Sequence, residues 1–175
     1  MSRNVVLTLT GHDKVGLVDN VTNVIVKHRG NVESSRMTRL GGEFAMLILV
    51  TVDDKDVSGL DKSFTELRSE GYQISLTQTE DDSKKYVGWL PYEIEVEGAD
   101  HEGIIHEVSH QLALQGINIE NMDTGSKPAP MSGTPLFMMK AIVLAPPKLN
   151  INEWRDALEA IADNLNVSVK VEMMK

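Results

Sequence analysis

The chain has 175 residues, 41% hydrophobic and 25% charged, enough for one ordinary domain or two small ones. Its formal net charge of −9, with no dense Lys/Arg cluster, disfavours direct contact with a nucleic-acid backbone. It has no cysteine, which excludes disulfides, thiolate metal sites and a cysteine nucleophile.

The N-terminus, Ser2-Arg3-Asn4, lacks a signal-peptide pattern and leads into a β-rich run from Val5 to Thr10. A helix follows, with Leu17, Val18, Val21, Val24 and Ile25 at helical spacing and Gly30 as its stop. Gly41-Gly42 predicts a tight hairpin between strands Asn31–Leu40 and Glu43–Val52. The longest apolar run, Phe44 to Val50, is too short to span a bilayer, so the expected location is cytoplasmic. Leu60, Phe64 and Leu67 line a second helix ending at Gly71, with Ser58 and Asp61 resembling an N-terminal cap. A strand over 72–79 closes the unit.

The polar stretch Glu80–Lys85 reads as a linker, and Val87-Gly88-Trp89-Leu90 is expected to pack back on the body. The expected division is 1–80, a linker over 81–90, and 91–175. The second part repeats the pattern. Tyr92–Glu97 alternates as a strand, with Glu93, Glu95 and Glu97 on a wet face. Ile104, Ile105, Val108 and Leu112 form a helix face that stops at Gly116. The next hairpin is expected to carry an irregular loop from Gly125 to Pro135, with Pro128, Pro130 and Gly133 inside it. Trp154, Leu158, Ile161 and Leu165 line the last helix, capped by Asn150 with Glu153, and Val167–Met173 is the final strand.

The two parts are copies. At a constant offset Gly11, Asp13, Gly16 and Val21 meet Gly98, Asp100, Gly103 and Val108, and Asn31-Val32-Glu33 meets Asn118-Ile119-Glu120. The fold class is therefore α+β: two ferredoxin-like βαββαβ domains packed side by side, each an antiparallel sheet with its helices on one face. Protection of edge strands favours joining the two sheets into one larger sheet.

The turn after each first strand is the candidate site. A helix starting at Gly16 or Gly103 offers free N–H groups and a positive dipole end to a carboxylate. Asp13 or Asp100, and Asn31 or Asn118, offer acceptors to an ammonium group. The plainer alternative stands beside this: the aspartates cap helices, the glycines ease packing, and the asparagines serve turns.

The motif Gly-x-Asp-x-x-Gly-(Leu/Ile)-(Val/Ile), followed by Asn-(Val/Ile), resembles the ACT domain across both repeats. In many members a proline precedes the glycine; Val15 and Glu102 stand there. The resemblance implies an amino-acid sensor with ligand contacts at Asp13, Lys14, Val15, Gly16, Leu17, Asn31 and Val32. In the second copy it implies Asp100, His101, Glu102, Gly103, Ile104, Asn118 and Ile119. The tandem arrangement, with Pro-Ala-Pro-x-x-Gly-Thr-Pro-Leu-Phe at 128–137, is similar to the family of glycine cleavage system transcriptional repressors. That resemblance implies a repressor, responsive to a small amino acid such as glycine, that contacts a LysR-type activator rather than DNA. Unequal sites are expected, because the loops differ at Lys14 and His101, and two chains could pair as a homodimer.

The competing expectation is a ligand-independent dimerisation or interaction module. A remote third is a zinc hydrolase, since His106-Glu107-Val108-Ser109-His110 spells H-E-x-x-H on a helix. The repeat argues against it: the histidines align with Asp19 and Asn23 on a solvated flank. No catalytic residue, metal ligand or cofactor is assigned.

Overall fold

The computed structural model describes residues 2–79, 85–129 and 133–174. The chain divides into two compact units, 1–82 and 83–175. Most of the expected linker (residues 80–84) and Pro130 of the loop lie outside the described residues.

Unit one runs β1 (Ser2–His12), α1 (Leu17–Lys27), β2 (Asn31–Leu40), β3 (Glu43–Asp53), α2 (Asp54–Ser63), α3 (Thr65–Ser69) and β4 (Gln73–Gln78). Its antiparallel sheet has the order β2-β3-β1-β4. On the central strands Val5, Leu7 and Leu9 pair with Val50, Ile48 and Met46, and all six are buried. That face packs on Leu17, Val21 and Ile25 of α1 and on Leu60, Phe64 and Leu67. Each such side chain, fully buried, contributes about 1.5–3 kcal/mol of transfer free energy.

Unit two runs β5 (Leu90–Ala99), α4 (Ile104–Leu114), β6 (Asn118–Pro128), β7 (Pro135–Ala145), α5 (Ile151–Asn164) and β8 (Val167–Met173). Its sheet has the same topology, β6-β7-β5-β8. Tyr92, Ile94 and Val96 bury one face against Ile104, Val108 and Leu112 of α4 and Trp154 and Leu158 of α5. Trp154 meets Tyr92 edge-on, with centroids 5.2 Å apart. Among the described residues the strands form one four-stranded antiparallel sheet in each unit.

Several local expectations change. The helix placed around Leu60–Leu67 is two helices, interrupted at Phe64, and it starts at Asp54 rather than at Ser58. Asp54 and Asp56 favour that earlier start, because carboxylates suit the positive end of a helix. Arg68 spans the break, donating to the Asp61 carbonyl at 2.8 Å and the Ile74 carbonyl at 3.2 Å. The loop expected from Gly125 shrinks, because the β6–β7 ladder continues to Pro128 opposite Pro135. Both prolines fit there: β6 is an edge strand and Pro135 opens β7. The Asn150 cap forms as expected, accepting from Asn152 N at 3.1 Å and donating to Glu153 at 3.0 Å. In the stretch Val87–Leu90, Leu90 opens β5 and packs on the core while Val87 stays 73% exposed.

The helix stops are not equivalent. Gly116 adopts φ 68, the left-handed conformation glycine favours; its counterpart by the repeat is Arg29, at φ 54. Gly30 serves space instead: a Cβ there would lie 2.8 Å from Ile25 and 3.0 Å from Val50.

The first glycine of the repeat is also steric. A Cβ on Gly11 would meet the Tyr72 ring at 2.5 Å, and one on Gly98 would meet the Val167 backbone Cα at 2.8 Å. A ring can turn; a strand backbone in register cannot. Gly98→Ala is therefore expected to cost about 1–3 kcal/mol by overpacking, against about 1–2 kcal/mol at the left-handed, sterically open Gly103. Urea melts of Gly98→Ala, Gly11→Ala and Gly103→Ala test this order; Gly98→Ala should be the most damaging.

Candidate functional site

In unit one the β1–α1 turn is held by its own side chains. Three consecutive side chains reach three different elements. His12 Nδ1 lies 2.8 Å from Glu43 at the start of β3. Asp13 lies 3.9 Å from Arg39 near the end of β2. Lys14 bonds Glu70, just before β4, with its ammonium 5.2 Å from the Tyr72 ring centroid. The Glu70 hydrogen bond raises the Lys14 pKa, so this tie persists through neutral pH. Tyr72 Oη donates to the His12 carbonyl at 2.9 Å. Gly16 starts α1 at φ 85, Val15 is fully exposed beside it, and the Leu17 side chain is in the core.

In unit two the equivalent turn leaves more unspent. Gly103 starts α4 at φ 97. The first bond of α4 is Glu107 N to the Gly103 carbonyl at 3.0 Å, and among the described residues the N–H groups of Ile104, Ile105 and His106 have no acceptor. In α1 the Leu17 N–H is already used by the Lys14 carbonyl at 3.3 Å. Asp100 donates its backbone N–H to Pro135, while its carboxylate and that of Glu102 form no ion pair among the described residues.

A hollow of ≈ 490 Å³ opens over this turn. It brings together the expected Asp100, His101, Glu102, Gly103 and Ile104, and adds Ile105, His106 and Phe137. Phe137 comes from β7 and carries no local signal in the sequence. In unit one a hollow of ≈ 260 Å³ lies beside Gly11 and Gln73 and includes none of Asp13–Leu17.

The second-strand asparagines are not among the residues lining either hollow. Asn31 Nδ2 donates to Glu33 at 2.8 Å, and Asn118 Nδ2 donates to Glu120 at 2.7 Å. The ladder shifts register at the same place in both units, between Val32 and Ser34 and between Ile119 and Asn121. The repeated Asn-x-Glu triplet thus builds a β-bulge, with the asparagine bonded to the glutamate that bulges. Asn118 also accepts from Tyr86 at 3.0 Å. Val32 is 39% exposed, whereas Ile119 packs on the core.

The H-E-x-x-H histidines stack in parallel on the exposed face of α4, with ring centroids 5.9 Å apart. Among the described residues no group of three His, Cys, Asp or Glu side chains is placed to hold a metal ion. No helix among those residues is long and apolar enough to cross a membrane.

A duplicated βαββαβ unit with a left-handed glycine between strand and helix defines a tandem, ferredoxin-like architecture. The chain belongs to the ACT-domain family: the ACT domain model matches residues 3–77. A UPF0237 protein of Methanopyrus kandleri is 36% identical over 71 residues, 41% of this chain and 78% of that protein. A UPF0237 protein of Methanococcus maripaludis is 38% identical over 64 residues, 37% of this chain and 66% of that protein. The crystal structure of an unknown protein from Galdieria sulphuraria matches both chains over their full length, with 32% identity and a TM-score of 0.84. A candidate glycine cleavage system transcriptional repressor of known structure covers 100% of this chain and 99% of its own, at 18% identity and a TM-score of 0.73, a likeness of fold alone.

His101 gives the second turn a pH dependence. Its Nε2 is 2.7 Å from the Leu165 carbonyl and its Nδ1 is 3.0 Å from the Glu102 carbonyl. A neutral imidazole can donate to one of these; the imidazolium donates to both. The Leu165 carbonyl first, then that of Glu102, holds the pKa above the usual histidine value of 6.5. Because the folded value is the higher one, the tie is complete below pH 6.5 and is lost as pH rises through the folded-state value. Amide hydrogen exchange at 100–103 should therefore quicken across that range beyond its intrinsic pH trend, and His101→Gln should abolish the extra change.

Proposed function

We propose that this chain is a non-enzymatic, cytoplasmic regulatory protein that senses a small amino acid, and that the second unit carries the working site. The observation behind this reading is the hollow at Asp100–Ile105. It joins unspent N–H groups at the start of α4, suited to a carboxylate, to the side chains of Asp100 and Glu102, suited to an ammonium group. Phe137 supplies an apolar wall, which favours a small side chain or none. The unit-one turn, with His12, Asp13 and Lys14 each engaged, serves as a structural counterpart.

In the finer form of the proposal, the ligand is glycine and the output is repression of glycine cleavage through contact with a LysR-type activator. The candidate repressor that shares this fold supports that direction. The net charge of −9 supports action through protein rather than DNA.

A thermal-shift panel of free amino acids is the test. A ligand at a hundredfold excess over its Kd adds about 2.7 kcal/mol of stability. Gly103→Val is expected to abolish the shift and Gly16→Val to keep it; both variants carry the same left-handed penalty, so folding cost cancels. If no amino acid at millimolar concentration moves the melting temperature, the sensor reading fails and the ligand-independent interaction module replaces it.

A further inference from the structure

The chain has five histidines. Three of them have their rings engaged: His12 with Glu43, His28 with the Ser63 hydroxyl at 2.8 Å, and His101 with two backbone carbonyls. His106 and His110 differ. Among the described residues neither ring has a hydrogen-bond or ion-pair partner. They stack on each other instead, 15° from parallel, on the exposed face of α4. Folding does not require them there. The same two places on α1 hold Asp19 and Asn23, which are also exposed.

We propose that His106 and His110 form a two-jawed surface site for a divalent transition-metal ion, with water completing its coordination. Three observations select that ligand class. The first is geometry. Residues at i and i+4 are neighbours on a helix, with Cβ atoms about 5–6 Å apart, and an imidazole nitrogen holds such a metal at about 2.0–2.1 Å. One ion bridges both rings after rotation of two exposed side chains, with no movement of the backbone.

The second is the donor set. Imidazole suits Cu, Ni and Zn, whereas Mg and Ca take oxygen ligands. No existing bond has to be broken to free the rings. Ser109, in the turn between them, donates its hydroxyl to the His106 carbonyl at 3.0 Å and leaves both imidazoles alone. The third is charge. The net charge of −9 draws cations to the chain, and Glu107, the acidic residue of the first turn, offsets the positive end of the helix. His106 also lines the hollow that contains Asp100 and Glu102, so the ion sits at its rim. A catalytic zinc centre uses three protein ligands; a clamp needs only two. The site is therefore one for binding, separate from the hydrolase reading of the same motif.

Titration calorimetry of the untagged full chain with CuCl2, NiCl2 and ZnCl2 tests the site, with MgCl2 as the oxygen-seeking control. One Cu2+ per chain is expected to bind most tightly, following the general order of divalent affinities, and Mg2+ to give no heat of binding. His106→Gln and His110→Gln are each expected to weaken Cu2+ binding about tenfold or more, because loss of either jaw removes the gain from a second, intramolecular bond. His12→Gln is expected to leave the affinity unchanged. Asp19→His combined with Asn23→His should build a second site on α1, which tests the spacing without altering α4. Electron paramagnetic resonance of the bound Cu2+ should show two imidazole nitrogens in the wild type and one in each single variant. A wild type that takes up no transition metal at sub-millimolar concentration, or single variants that keep its affinity, overturns the proposal. So does a loss of affinity in His12→Gln, which would move the ion to unit one.

Discussion

Val5, Leu7 and Leu9 in one unit, and Tyr92, Ile94 and Val96 in the other, leave water only if two helical elements cross the same side of the sheet. A four-stranded sheet of this size has no other way to bury a core. That demand sets the remaining geometry. The chain must leave the central strand and enter a helix within a few residues, and the turn uses a left-handed glycine at 16 and 103. It must also bring the last strand alongside the first, where Gly98 leaves room for the Val167 backbone and Gly11 for the Tyr72 ring.

The candidate site is a by-product of the same turn. Starting a helix at a left-handed residue points unbonded N–H groups into the open. Each unit then spends or keeps them differently. In unit one the turn is tied by side-chain contacts to Glu43, Arg39 and Glu70. In unit two it is tied by His101 to backbone carbonyls, which leaves the acidic side chains beside it unpaired among the described residues. Duplication followed by such divergence leaves one turn tied through side-chain pairs and the other through backbone carbonyls.

The outer faces diverged in the same way. Thr8 and Glu95 hold the same place in their strands, yet one pairs with the Ser75 hydroxyl and the other with the Lys140 ammonium. Neither residue touches its own core, so folding did not constrain the choice.

Periodicity, glycine spacing and the internal repeat were enough for the duplicated βαββαβ order, the β2 boundaries at Asn31 and Leu40, and the β8 boundaries at Val167 and Met173. These are local properties: each depends on which side of a strand or helix a residue occupies. The break at Phe64 and the continuation of β6 to Pro128 depended on partners outside their own segments, such as Ile74 and β7. The triplets at Asn31 and Asn118 stood out in the sequence as candidate ligand residues, and only strand pairing revealed the bulge they brace. Likewise Phe137 joins the hollow, and Glu70 engages Lys14, from distant parts of the chain. The sequence by itself determined the fold of each unit, because burial of one apolar face is written in its own residues. Which turn kept free donors and carboxylates was decided by tertiary structure, because the groups that occupy or spare them arrive from other strands.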